Sequence, residues 1–263
     1  MSSLSYAGTD SATMLRRNLR HALRYPSMTI STVAMPVIFL LLFDYVFGGT
    51  LGAGLRGVAN YGGQYIDFLT PGVLVMTAAA AGVSTAVSVS VDMTEGIVNR
   101  FRTMAISRGS LLTGHVVGSL IQTMLAMAVV VAVALLAGFR PETGPARWAA
   151  AAGLLALLAL ALTWLAVALG MAAGSPETAS NLPLPLTFLP FLGSGFVPAD
   201  SMPVGLREFA AHQPFTPVID TVRALLMGGA VGDTAVIAVA WCVAIALAGY
   251  VWARVSFERR PAR

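Results

Sequence analysis

Lysine is missing from this chain altogether; all 16 of its basic side chains are arginine. That one absence removes several kinds of chemistry. A phosphate-loop ATPase needs its lysine on the β- and γ-phosphates, so the chain carries no such site of its own. Schiff-base catalysis and a lysine general base go with it. Charge of either sign is scarce: 11% of the 263 residues, against 57% hydrophobic, where a soluble domain carries about 25% charged. So little charge cannot clothe a soluble core of this size, and the composition is that of an integral membrane protein. Cysteine occurs once, at Cys242 in an apolar segment, so no intrachain disulfide can form and redox compartment is not readable. The three histidines, His21, His115 and His212, offer no pair at metal-ligand spacing. The net charge of +4 comes without the basic stripe and interleaved aromatics of a nucleic-acid surface. The N-terminus is polar and lacks a short apolar core before a small-residue cleavage site, so no cleavable leader is expected and the first span serves as the insertion signal.

What the chain does have is long apolar runs. A membrane-crossing helix needs about 20 mostly apolar residues. Six stretches are expected to cross: 28–47, 67–91, 111–138, 148–173, 182–198 and 234–253. The fifth is the weakest, because Pro183, Pro185 and Pro190 fall within it, and a kinked or broken helix is expected there. The expected architecture is all-α and integral to the membrane, one transmembrane domain over 1–263. With six crossings both termini share a side. That side holds 11 arginines and the other 5, so the termini and the 92–108 loop are expected in the cytoplasm of a bacterial inner or plasma membrane.

Ahead of the first span, 11–25 reads as an amphipathic helix lying in the interface. Leu15, Leu19 and Leu23 share one face, and Arg16, Arg17, Arg20 and Arg24 take much of the rest. Between the fifth and sixth spans, 199–230 is more than a linker. Val204, Leu206, Phe209 and Ala210 group near one helical face. Val218, Ile219, Val222, Leu225 and Leu226 recur at helical spacing until the Gly228-Gly229 pair. Two short outer helices fit, either re-entrant or standing outside the membrane as a hairpin. Pro203, Phe209, Pro214 and Arg223 mark that segment.

The densest mid-chain charge lies in "VDMTEGIVNRFRTMAISRG", 91–109. As a short helix from Thr94 it puts Ile97, Phe101 and Met104 on one face, flanked by Arg100 and Arg102. Asp92 and Glu95 sit near its N-terminus, where the helix dipole favours them. A topology-setting loop would account for the arginines but not for three exposed apolar side chains together. Docking against another protein accounts for both. "SPET" at 175–178 reads as a capped helix start, with Ser175 as the cap and Pro176 in the first position.

"FLTPGVLVM", followed after a span by "DMTEGIVNRFRTMAISRGSLLTGH", resembles the membrane subunit of type-2 ABC exporters. So does the second half, from "GMAAGSPETASNLPLPLTFLPFLGSGFVPADSMPVG" to "QPFTPVIDTVRALLMGG". The likeness spans about residues 12–257 and is nearest to permeases of the daunorubicin-resistance, drug-efflux type. It departs at "MAISR", where many relatives have a proline, and at "LGSG" before the outer turn. The resemblance implies a permease that is not itself an enzyme. ATP and magnesium would be held by a separate cytosolic ABC ATPase present in two copies, and a second permease copy or close paralogue would complete the pathway in the lipid. It implies that Asp92, Glu95, Ile97, Arg100, Phe101, Arg102 and Met104 couple to the ATPase, with Glu177 a second contact, and that 202–228 is re-entrant. The cargo implied is an amphipathic drug-like molecule or lipid moved outward. A polysaccharide or glycolipid exporter is an alternative that the 8% aromatic content disfavours. A proton-coupled secondary transporter is disfavoured by spans almost free of ionisable groups. A membrane enzyme would need converging acidic, His or Ser groups that the sequence does not assemble.

Overall fold

The computed structural model describes residues 26–55, 64–94 and 108–259, with side chains at 33–55, 64–94 and 116–257. The described residues are helical, with no strand among them. Helix α1, Pro26–Leu42, runs through a π-helical turn, Phe43–Phe47, into α2, Gly48–Leu55. Helices α3, Tyr65–Thr94, α4, Arg108–Ala137, and α5, Pro145–Ala172, follow. Then come the short α6, Pro176–Asn181, and α7, Leu184–Phe188. Helices α8, Val204–His212, α9, Phe215–Met227, and α10, Asp233–Arg259, complete the chain.

Among the described residues, five helices are long and apolar enough to cross a membrane: Val33–Leu55, Tyr65–Thr94, Val116–Ala137, Pro145–Ala172 and Asp233–Phe257. The expected stretch 182–198 is not a sixth. It is α7, a 3-10 turn over Leu189–Leu192, and a non-helical turn up to Pro198. Three prolines within eight residues each remove a backbone donor and crowd the preceding turn, which breaks the helix rather than merely bending it. The first rod also ends later than the expected 47. The glycine-rich residues from Gly48 stay helical to Leu55, because a helix keeps its backbone hydrogen bonds internal where water is absent. Helix α4 ends where Gly138 takes φ +118° and α9 where Gly228 takes φ +81°, left-handed conformations open to glycine at little cost.

Close contacts set the direction of the rods. Gly82 lies on Ala166 and Gly170 on Ala86, so α3 and α5 run parallel. Trp164 meets Tyr250 edge-on with centroids 5.0 Å apart, and Arg147 reaches the carbonyl of Gly229 just before α10, so α10 is parallel to α5. Thr85 bonds Ser119, while Asp67 accepts from the Arg140 amide, so α4 is antiparallel to α3. Gly52 on α2 and the Phe43 ring lie beside Tyr65 and Phe196, which brings the first rod to the start of α3. One end of the bundle therefore gathers the start of α3, the 138–144 turn, the end of α9 and the start of α10. The opposite end holds Thr94, the end of α5 and α6.

Between α5 and α10 the chain has to return. Gly170 touches Ala86 and Gly195 touches Gly72, and 14 residues of α3 separate those points, about 21 Å of helix. The broken stretch 176–195 thus climbs beside α3 over much of the bundle. It lies against α3 through α6, α7 and the 3-10 turn.

The interior is α3 and α5. Of their most apolar windows, 72% and 67% are buried, against 11% for the first rod and 17% for α10. Small residues allow this. A Cβ on Gly72 would fall on the Gly195 backbone, one on Gly170 would fall on the Ala86 carbonyl, and one on Gly249 would sit 2.6 Å from the Leu165 nitrogen. Backbones at that separation gain dispersion contacts without any hydrophobic drive between helices, as packing within lipid requires.

Candidate functional site

At the Thr94 end, the sequence-derived coupling segment begins on α3. Asp92 is half-buried on its last turn, and Thr94 donates to the carbonyls of Ser90 and Val91, both at 3.0 Å. Such back-bonding to the preceding turn is what a hydroxyl does when it finds no cap to make. Glu95, Ile97, Arg100, Phe101, Arg102 and Met104 lie outside the described residues, as do Arg16, Arg17, Arg20 and Arg24 of the expected interfacial helix. The side chain of His115 does too.

Helix α6 packs against α3, with Ala179 fully buried. It starts as the sequence predicts: Ser175, in extended backbone, accepts from the Thr178 amide at 3.2 Å, and Pro176 occupies the first turn. Glu177 projects into the open, and the hydrogen bond from Ser175 is the main cause holding its carboxyl below the usual glutamate range.

The other end carries a polar knot. The guanidinium of Arg223 donates to Asp220 at 2.7 Å, to the carbonyl of Ser194 at 2.6 Å and to the carbonyl of Phe68 at 3.1 Å. Its plane also lies over the Phe68 ring, 3.8 Å from the centroid. Ser194 returns a hydroxyl bond to Asp220 at 2.7 Å. One planar cation thereby joins α9, α3 and the turn that follows the broken stretch, a geometry that suits arginine and not lysine. One further bond pins the same turn: Tyr65 donates its hydroxyl to the Phe196 carbonyl at 3.0 Å. The Gln213 amide donates to the carbonyl of Leu189 in the 3-10 turn just before it and to Thr216 on α9. Asp67 accepts from the backbone amides of Gln64 and Arg140. It ties the start of α3 to the turn after α4.

Of the outer residues marked by sequence, Arg223 is at the centre of this knot. Pro203 and Pro214 stand at the starts of α8 and α9. Phe209 lies on α8 and is half-exposed. The two outer helices differ sharply. Val218, Ile219, Val222, Leu225 and Leu226 of α9 are all buried, whereas α8 buries only Ala210. Its ion pair among the described residues, Arg207–Asp200, is largely exposed and so contributes little. Sequence reasoning missed Asp220, Ser194, Phe68 and Tyr65. The i,i+3 spacing of Asp220 and Arg223 was the one available signal; the two carbonyls they hold are 29 and 155 residues away from Arg223.

The low aromatic content also conceals a concentration. Six of the twelve phenylalanines form one row: Phe191 stacks on Phe196 at 4.3 Å, Phe196 meets Phe43 at 5.0 Å, and Phe39, Phe47 and Phe188 extend it. The row fastens the broken stretch to α1 at offset-stacked and tilted geometries that aromatic pairs prefer.

Two buried helices flanked by apolar rods long enough to cross a membrane define a multi-pass α-helical membrane protein. Residues 10–227 match the ABC-2 type transporter family, and the chain belongs to it as a permease subunit. Such permeases are not catalytic; the ATPase that drives them sits on a separate subunit, and they work with it typically as dimers. The chain is similar to the daunorubicin resistance ABC transporter permease protein DrrB1 of Streptomyces coeruleorubidus, 30% identical over 207 residues, 78% of this chain and 71% of that one. It is also similar to the probable doxorubicin resistance ABC transporter permease protein DrrC of Mycobacterium tuberculosis, in strains CDC 1551 / Oshkosh and H37Rv. Identity there is 20% over 234 residues, 88% of this chain and 81% of those.

Proposed function

We propose that the chain moves an amphipathic, drug-like molecule or lipid out of the cytoplasm or inner leaflet, powered by a separate ABC ATPase that docks on residues 92–104. The likeness over 207 residues to a daunorubicin resistance permease carries this reading.

In this reading the chain crosses the membrane six times. The broken stretch 176–195 makes the fifth crossing, its irregular backbone shielded by α3 as lipid demands. Both termini and 92–108 face the cytoplasm, in keeping with the arginine distribution, and 11–25 lies in the inner interface. Helix α9 is held within the outer half of the bundle and α8 rests nearer its surface. Glu177 is a second, smaller ATPase contact, since α6 stands at the same end as the start of the coupling segment. ATP and magnesium belong to the ATPase, and a second permease copy or close paralogue completes the pathway.

Two measurements test it. Phe101→Ala, or Arg100→Glu with Arg102→Glu, is expected to lower the ATPase recovered with the detergent-purified permease about thirtyfold, the scale of a hot-spot truncation near 2 kcal/mol. Undiminished co-purification would remove 92–104 as the dock. Cys242 is the sole cysteine and is buried, so Asn99→Cys supplies a single reactive thiol. In intact cells it is expected to resist an impermeant maleimide and to react only after permeabilisation; labelling in intact cells would reverse the orientation.

A further inference from the structure

The first rod changes character at Phe43. Up to that point rings fasten it to the bundle: Phe39 meets Phe191 with centroids 5.5 Å apart, and Phe43 meets Phe196 at 5.0 Å. Then come the π-helical turn Phe43–Phe47 and α2, whose sequence is GGTLGAGL. Four of those eight residues are glycine, the residue that loses most freedom on entering a helix. So α2 is held wound by its surroundings and not by its own preference. Those surroundings are one-sided. Leu55 is buried and Leu51 packs against the core. A Cβ on Gly48 would lie 3.7 Å from the Tyr65 ring, and one on Gly52 3.5 Å from the Tyr65 Cβ. On the other side, a Cβ on Gly49 or Gly54 would meet nothing within 4 Å, and Thr50 and Ala53 are exposed. The π-helical turn at the base of α2 is a local break in the regular ladder, of the kind at which helices bend. It carries Asp44, half-buried, whose carboxylate has no hydrogen-bond or ionic partner among the described residues. A carboxylate so placed draws water towards it. A glycine-rich helix keeps its hydrogen bonds while water is absent; once water competes for them, the glycines favour the open chain.

We propose that α2 is a strap at the outer end of the permease. It is wound and seated on Tyr65 while that end is dry, and it unwinds from the π-helical turn when the pathway opens outward and water enters. The proposal rests on the exporter reading above, which puts this end outside, and adds the segment that moves. Gly48 and Gly52 let the strap seat on Tyr65, the same side chain that pins the turn at Phe196. Leu55 is its clasp, and Asp44 marks where water enters first.

The test uses the permease assembled with its ATPase in lipid nanodiscs and reads amide hydrogen exchange over 48–55. Exchange there is expected to be about tenfold faster with ATP and vanadate, which arrest the ATPase in its closed form, than without nucleotide. Gly49→Ala with Gly54→Ala places two methyls in open space. Each favours the wound helix about fivefold, so exchange in the arrested state is expected to slow about twentyfold in the double variant. In proteoliposomes the same variant is expected to lower ATP-driven daunorubicin efflux about tenfold, as a stiffened gate does. Gly153→Ala on α5 also adds a methyl in open space, but to a helix that stays wound, and is expected to leave efflux unchanged. Equal exchange in the two states, full-rate efflux in the double variant, or an equal loss of efflux in Gly153→Ala would overturn the proposal. Wild-type vesicles that move no daunorubicin would count against the drug-like cargo; the exchange comparison, which needs only ATP, then decides the strap.

Discussion

Arg223→Leu is expected to lower the stability of the detergent-solubilised permease by about 2–3 kcal/mol. The arginine side chain is 14% exposed and the Asp220 side chain 39%. Truncating one partner of a fully buried pair costs about 3–5 kcal/mol, and the partial exposure of Asp220 brings the figure down. The charge is the smaller part of the loss. Without the guanidinium, the carbonyls of Phe68 and Ser194 each lose a donor, and a buried acceptor that loses its partner costs about 1–3 kcal/mol; Ser194, which lies outside any helix, bears most of it. Arg223→Lys separates the contributions. It keeps the charge but cannot reach three acceptors in one plane while stacking on Phe68, so it is expected to recover less than half of the loss. Asp220→Asn alone is expected to cost less than either, because Arg223 keeps both carbonyls. Thermal unfolding followed by tryptophan fluorescence reads all three, and full stability in Arg223→Lys would mean that only the charge matters.

Gly72→Ala is the second large effect. In an exposed helix this change would add stability, because alanine is favoured over glycine by about 1 kcal/mol. Here the added methyl meets the carbonyl and Cα of Gly195. Those are backbone atoms of a turn pinned by Tyr65 and Arg223, and they cannot swing aside as a side chain would. Overpacking costs about 1–3 kcal/mol in ordinary cores, occasionally more, and the upper end applies where neither partner can yield. The net expectation is a loss of about 2 kcal/mol, with the broken stretch displaced from α3. Gly170→Ala meets the Ala86 carbonyl in the same way and is expected to behave alike. The two sites lie about 21 Å apart along α3, so their effects are expected to add. A Gly72→Ala protein that melts no lower than wild type would mean that the turn at 195 is free to move.

The segments that sequence could and could not settle divide along a physical line. Five long helices among the described residues are written in runs of apolar residues, and those of α3, α4 and α5 lie within three positions of the expected bounds, whereas the first rod runs eight residues past the expected 47. The helical capping of Ser175 and Pro176 is equally local, as is the stop at Gly228. The prolines of the 182–198 stretch predict a kinked or broken helix without deciding between the two, and the structure shows the broken form. How short-range breaks are accommodated depends on what covers the freed backbone, and the cover is α3, more than a hundred residues earlier. The row of phenylalanines was likewise invisible. Its members are scattered over 39–47 and 188–196, and a percentage of aromatics says nothing about whether they meet.

By itself, the sequence determined that this chain lives in a membrane, that it cannot bind ATP through a lysine loop, and which family it resembles. Those follow from composition and from short motifs in a set order, which need no folding to be read. Only the tertiary structure decided which helices are interior. The first rod and α3 are equally hydropathic, yet α3 is buried and the first rod is not. In lipid, apolarity no longer sorts inside from outside. Close approach of backbones at Gly72 and Gly170 does the sorting instead, together with polar groups such as Arg223 that bond backbone far along the chain, and both depend on partners that only the fold supplies.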